Sequence, residues 1–368
     1  MPRFPVLSLF PLVLPCLAAA LHAQQPLERY TIDDDAVAVY NLVGAVRVEA
    51  GEGGVAVQVT RAGADAARLR VAQGEIDGRA TLRVIYPEDR INPGSGRPGG
   101  STTLRVREDG TFGDTDDEHE HEHDRHGRHD RGGWGEGRKV TIASGSGLDA
   151  HADLVVRVPR GHRVAVYLAV GSVTVTNVEG DLTLDTHDGE VMASGVKGGL
   201  RIDVGSGSVR ASQIEGDLSV DTGSGSVEVS RVRGGSLSID TGSGDVTGSD
   251  LEAGELSVDT GSGSIRLTGV VSPELSLETG SGGVTAELRR DVASLRVETG
   301  SGDIAIRAPA SLGAEVEIET SSGDIETDFP LQITQHARDH MMGTIGDGKG
   351  TIAIETGSGG IRLLKGSN

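Results

Sequence analysis

The chain reads DTGSG three times, at Asp221–Gly225, Asp240–Gly244 and Asp259–Gly263. Asp-Thr-Gly is the form in which an aspartic protease carries its catalytic carboxylate. That chemistry needs two such carboxylates facing each other and sharing one proton. Here the motif comes in series, and the acid becomes the longer Glu at Glu278, Glu298, Glu319 and Glu355. A catalytic dyad would not tolerate that change, so the motif predicts a backbone corner and no catalytic residue.

Two other groups of residues could do chemistry. The stretch from Gly113 to Gly137, GDTDDEHEHEHDRHGRHDRGGWGEG, holds His119, His121, His123, His126 and His129. Imidazole and carboxylate together suit zinc, nickel or copper. The alternate spacing of the first three histidines would put them on one face of a strand. The charge of the tract and its near lack of apolar residues predict a disordered loop, so any metal is expected to be held weakly. The second group is the acid of the repeated motif: Asp203, Asp221, Asp240, Asp259, Glu278 and Glu298 share one outward phase. On adjacent strands they would stand about 4.8 Å apart, close enough to raise pKa values or to recruit calcium.

The elements that must position these residues follow from the period. Aligned on Thr222, the counterparts are Thr186, Val204, Thr241, Thr260, Thr279, Thr299, Thr320 and Thr356. The steps run 18, 18, 19, 19, 19, 20, 21 and then 36, twice 18. Within one period, Val227-Glu228-Val229 and Leu237-Ser238-Ile239-Asp240-Thr241 alternate apolar and polar, the mark of strands with one buried face. Glycine-rich turns separate them. Two short strands and two tight turns cannot fold alone, but stacked they form coils. The expected fold is therefore all-β: a parallel β-solenoid, or single-stranded β-helix, of ~18–21-residue coils, right-handed by the crossover rule. Val220, Ile239, Val258, Leu277 and Val297 should form one inward column, with Thr222 facing inward beside them.

The remaining chain organises around that stack. Residues 1–23 read as a secretory signal peptide, with Arg3, an apolar stretch from Phe4 to Leu21 and small residues before Gln24. The apolar core is too short to predict a membrane span. Cys16 is the only cysteine and lies in the signal, so no disulfide is expected. Residues 24–87 alternate as opening coils and 88–137 form a Pro/Gly-rich and then His/Asp/Glu-rich insertion. Regular repeats occupy 138–326, an insertion loop 327–350, and the final coil and C-terminal end 351–368. Isolated His336, His340, Met341 and Met342 are read as packing and capping residues. A formal net charge of -21 argues against nucleic acid and anionic lipid as partners.

The repeat GSGDI, the segment LVVRVPRG at Leu154–Gly161, VEGDLTLDT at Val178–Thr186 and the ending GTIGDGKGTIAIETGSGGIRL together resemble the bacterial "putative adhesin" family. This is a domain of unknown function with β-strand repeats, similar to auto-transporter adhesin head domains. The resemblance implies an exported parallel β-solenoid associated with the cell envelope and brings no catalytic residues. The expected function is that of a non-enzymatic envelope or surface protein, in the periplasm or outside the cell. It would present a repetitive polar face to a glycan, a wall polymer or another envelope protein. One alternative is a metal-binding envelope protein working through the histidine tract. Another, a polysaccharide-active β-helix enzyme, is opposed by composition. Sugar sites stack rings on aromatics, yet aromatics are 2% of the chain, Trp134 is the only tryptophan, and Tyr30, Tyr40, Tyr86 and Tyr167 lie outside the coils aligned on Thr222.

Overall fold

A computed structural model describes residues 27–94, 100–113 and 137–366. The repeats stack as parallel, in-register coils. Leu200–Ser206 pairs with Leu218–Ser224, and the ladder continues through Leu237, Leu256 and Leu275 to Leu295. Val220, Ile239, Val258, Leu277 and Val297 follow one another as Cα partners, each at most 1% exposed. A second column faces it, running Val209, Val227, Val246, Ile265, Val284 and Ile304. The core between the two is thin and aliphatic. Each buried Val, Leu or Ile contributes about 1.5–3 kcal/mol, so rows of medium-sized side chains replace the large rings this sequence lacks.

Glycine sets the corners. Gly225 has φ +143°, and a Cβ there would lie 1.9 Å from the carbonyl oxygen of Gly207 in the coil before. Only glycine lets successive coils stack that closely. A second left-handed position recurs with larger residues: Asn177, Gln213, Arg231 and Asp250 all have φ between 52° and 57°. Asn and Asp are at home there, whereas Gln and Arg are not.

The ends depart from simple stacking. Strand Gly350–Thr356 pairs with Ser294–Thr299 on one side and with Ala314–Thr320 on the other. The coil carrying Thr356 is therefore next to last, threaded between two coils made earlier. Beyond the terminal coil, segment 327–350 is a β-hairpin and not a plain loop. His340–Ile345 runs antiparallel to Ala314–Thr320 and pairs with Leu331–His336. Apolar phase explains why this order escapes sequence reading: Ile352 and Ile354 match Leu295 and Val297 as well as they match Val316 and Ile318.

At the other end, Ala36–Ala50 joins the parallel stack against His162–Lys197. Arg79–Ile85 also lies parallel to Ala36–Ala50, while the other strands of 27–87 pair antiparallel. Val55–Ala62 is antiparallel to both Glu28–Ile32 and His151–Val158, and Arg70–Ile76 forms a hairpin with Arg79–Ile85 across an Asp77-Gly78 turn. Part of the expected insertion is also ordered. Arg90–Asn92 and Ser101–Val106 build a four-stranded sheet with Arg138–Ala143 and Leu148–Asp149, which therefore lie outside the repeat. Alternation revealed these strands but not their partners, because apolar phase carries no direction. Among the described residues the only helical element is the short 3-10 turn Ala66–Arg68, so no helix is long enough to cross a membrane.

Candidate functional site: a carboxylate row of one sign

Stacking in register turns one outward position of the repeat into a continuous row. Its order is Asp185, Asp203, Asp221, Asp240, Asp259, Glu278, Glu298, Glu355 and Glu319. Neighbours stand one strand spacing apart, about 4.8 Å. The six residues expected from the sequence all lie in it, and three more extend it. Glu355 precedes Glu319 because of the threaded coil.

Other outward rows behave differently. Lys197 meets Glu215 at 3.1 Å and Arg233 meets Glu252 at 3.3 Å in one row, while Arg210 reaches Glu228 at 3.3 Å in another. In the first of these rows charge alternates from coil to coil, and in the second charges of both signs mix with Thr247 and Thr285. In the carboxylate row no Lys or Arg occurs. It is flanked on one side by Ser219, Ser238, Ser257 and Ser276, bounded by Arg201 at one end and by Arg296 at the other, whose guanidinium donates to Glu298 at 2.6 Å. The other flank is bare backbone, at Gly223, Gly242, Gly261 and Gly280. The face is a ridge of acids between a hydroxyl row and a glycine floor.

Like charges along the ridge leave a trace at its centre. The Asp259 carboxyl is pushed up to about 6, first by burial among its neighbours and then by the charges of Glu278 and Asp240. Not every repeated acid is free to act on solvent. Asp217 Oδ1 accepts from the backbone N–H of Gly235 and of Ser236, and Asp181, Asp245 and Asp303 cap Gly199, Ser264 and Gly360 in the same way. These are corner clamps, which the sequence reading did not single out.

The threonine of the motif is structural. Where a strand ends at it, the buried hydroxyl donates to a glycine carbonyl in the adjacent coil: Thr260 to Gly244 at 3.3 Å, Thr279 to Gly263 at 3.0 Å, Thr356 to Gly302 at 3.1 Å. Where the strand runs on through the corner, as at Thr186 and Thr222, the hydroxyl has no partner among the described residues. Val204 occupies the same place in the coil between them.

At its first coil the row ends under aromatic cover. Tyr40 and Tyr167 stack with centroids 4.4 Å apart and planes 4° apart, and Phe112 packs edge-on against Tyr40 at 5.9 Å. Scattered in sequence, these rings gave no signal of meeting. His119, His121, His123, His126 and His129 lie outside the described residues. Among the described residues no three His, Cys, Asp or Glu side chains converge closely enough to hold a metal ion. The row spreads its acids along a line.

The family model described as Toastrack DUF4097 matches residues 200–364, the part of the chain that holds the regular coils. Two solved structures are similar to the chain. One is a "putative adhesin" from Parabacteroides merdae ATCC 43184, 11% identical, covering 94% of this chain and 98% of that one, with a TM-score of 0.41. The other is a "putative cell adhesion protein" from Clostridium sporogenes ATCC 15579, 11% identical, covering 93% and 99%, with a TM-score of 0.20. No curated protein matches the chain.

Proposed function

We propose that this chain, whose residues 200–364 form a Toastrack DUF4097 domain, is a non-enzymatic binding rod of the cell envelope or surface. It would be exported by the signal at residues 1–23 and hold its partner along the carboxylate row. The observation that carries this reading is the uniform sign of that row through nine consecutive coils, whereas the row of Lys197, Glu215, Arg233 and Glu252 alternates. An active site needs unlike groups converging on one point. Repeated identical groups suit a repeating partner, gripped by many weak contacts whose strength multiplies. A glycan or wall polymer with spaced hydroxyls or cations fits the hydroxyl flank and the acid ridge; an envelope protein with a basic strip is the other fit. Calcium would serve as a bridge between ridge and partner, since it accepts oxygen ligands in loose geometry.

The test measures retention of the mature protein on isolated envelope fractions and glycan arrays, with and without millimolar calcium. Retention should fall at least tenfold when Asp221, Asp240 and Asp259 all become Asn. Unchanged retention would reject the row as the binding face. The histidine tract supports a separate metal-binding role through its spacing alone. Calorimetric titration of nickel or zinc, with and without residues 113–137, decides that role independently.

A further inference from the structure

A concave feature lies at the opposite end of the stack from the 331–345 hairpin, lined by none of the row's residues. It is a cleft of about 210 Å³. Its apolar floor is Leu42, Val84 and Val106, each at most 2% exposed, with Ile85 and Pro87 as walls. Arg70, Arg107 and Arg138 also line it, against the single acid Glu108.

The three guanidinium groups are held differently. Arg138 is fixed, pairing with Asp89 at 2.5 Å and donating to the Tyr86 carbonyl. Arg107 starts a tight turn, with its N–H bonded to Thr111 O and its carbonyl accepting from Gly110, both at 2.9 Å. Among the described residues its guanidinium makes two long contacts, to Thr111 Oγ1 and to the Gly113 carbonyl, each 3.4 Å. Arg70 has no acidic partner among the described residues. Gly110 lets this turn lie against the wall: its φ is +93°, and a Cβ there would sit 2.3 Å from Ile85 Cδ1. The cleft is thus a shaped apolar floor under a rim of donors with unfilled capacity, on a protein of net charge -21.

We infer that this cleft is a binding site for a small carboxylate with a short apolar body. Guanidinium forks bind carboxylates with paired, charge-assisted hydrogen bonds. The apolar floor takes the rest of the ligand, and the single acid at the rim disfavours a doubly charged head. The volume admits one ring or a short chain, so the natural ligand is a small molecule or one acidic group projecting from a larger partner.

Benzoate is the probe, titrated into the intact chain by calorimetry, with benzyl alcohol as its neutral counterpart. Benzoate should saturate with a Kd of about 1 mM or tighter, and the alcohol should bind at least about tenfold more weakly. Arg70→Gln and Arg107→Gln should each weaken benzoate about fivefold or more, with unchanged melting temperatures because neither arginine holds an acid in the fold. Arg201→Gln, outside the cleft, should change nothing. Absence of saturation below about 10 mM, equal binding of the alcohol, or unaltered binding by both cleft variants would overturn the assignment. None of these outcomes touches the carboxylate row.

Discussion

Within one repeat, a single hydroxyl separates two kinds of corner. Thr279 donates to Gly263 at 3.0 Å, whereas Thr222 is fully buried and its hydroxyl has no partner among the described residues. Removing a buried hydrogen bond costs about 1 kcal/mol, while removing an unsatisfied buried hydroxyl relieves a desolvation penalty. Thr279→Val should therefore destabilise the protein by about 1–2 kcal/mol, and Thr222→Val should be neutral or stabilising. Denaturant melts of the two variants compare them directly; equal losses would refute the distinction. The acid beside each threonine gives a second prediction. Asp259 titrates near 6 in the folded chain and near 3.9 when unfolded. The folded state thus keeps a proton that the unfolded state gives up. Its stabilising share is complete below about pH 4 and is lost as pH rises through about 6. Asp259→Asn should raise stability at pH 7.5 by about 0.5–1 kcal/mol, with exposure and salt screening holding the gain to that level. The gain should vanish by about pH 4. A pH-independent difference between variant and parent would remove the cause assigned here.

Elements turn these residues into surfaces, and the positive-φ column shows what a strand-to-strand bend demands. Gln213 and Arg231 hold φ of 57° and 53° where Gly195 and Gly269 stand in other coils. The left-handed region costs a side-chain-bearing residue about 1–2 kcal/mol, and glycine's extra unfolded-state entropy returns part of that. Gln213→Gly should gain about 0.5–1 kcal/mol in thermal or denaturant melts, and a loss would show that side-chain packing outweighs backbone strain. At this scale most of the repeat could be read in advance. Alternation fixed which face of Leu237–Thr241 is buried, and glycine spacing fixed the corners. Strand direction could not be read, because Val55–Val59 alternates equally well whether its neighbour is parallel or antiparallel. The four-stranded sheet was hidden for a similar reason: Ser101–Val106 is a short alternating run whose partner, Arg138–Ala143, lies across a long polar stretch. The carboxylate row was legible because identical residues recur at the repeat period, and the arginine cleft was not, because its parts come from separate segments.

The whole molecule is a stack closed at one end by a hairpin and a threaded coil. Residues 350–366 fill the place between the coil of Ser294–Ala308 and the coil of Ala314–Thr327. Deleting them would uncover two faces at once, not one. Deletion should therefore abolish amide-exchange protection across 314–345, while coils between 200 and 260 keep theirs, since stacked repeats depend on their nearest neighbours. Uniform loss of protection along the chain would show that the stack folds as one unit. The same threading has a bearing on biosynthesis. From residue 200 to residue 308, each coil can settle on the one delivered just before it, so growth there can keep pace with the chain's emergence. The coil of 314–327 has no such seat: each of its partners in the neighbouring coil emerges 36 residues later, and until then it must stay off the stack or dock prematurely on the wrong coil. Because the order of delivery differs from the order of assembly, we expect this junction to fold more slowly than the coils of 200–308, and limited proteolysis during refolding to cut it before it cuts them.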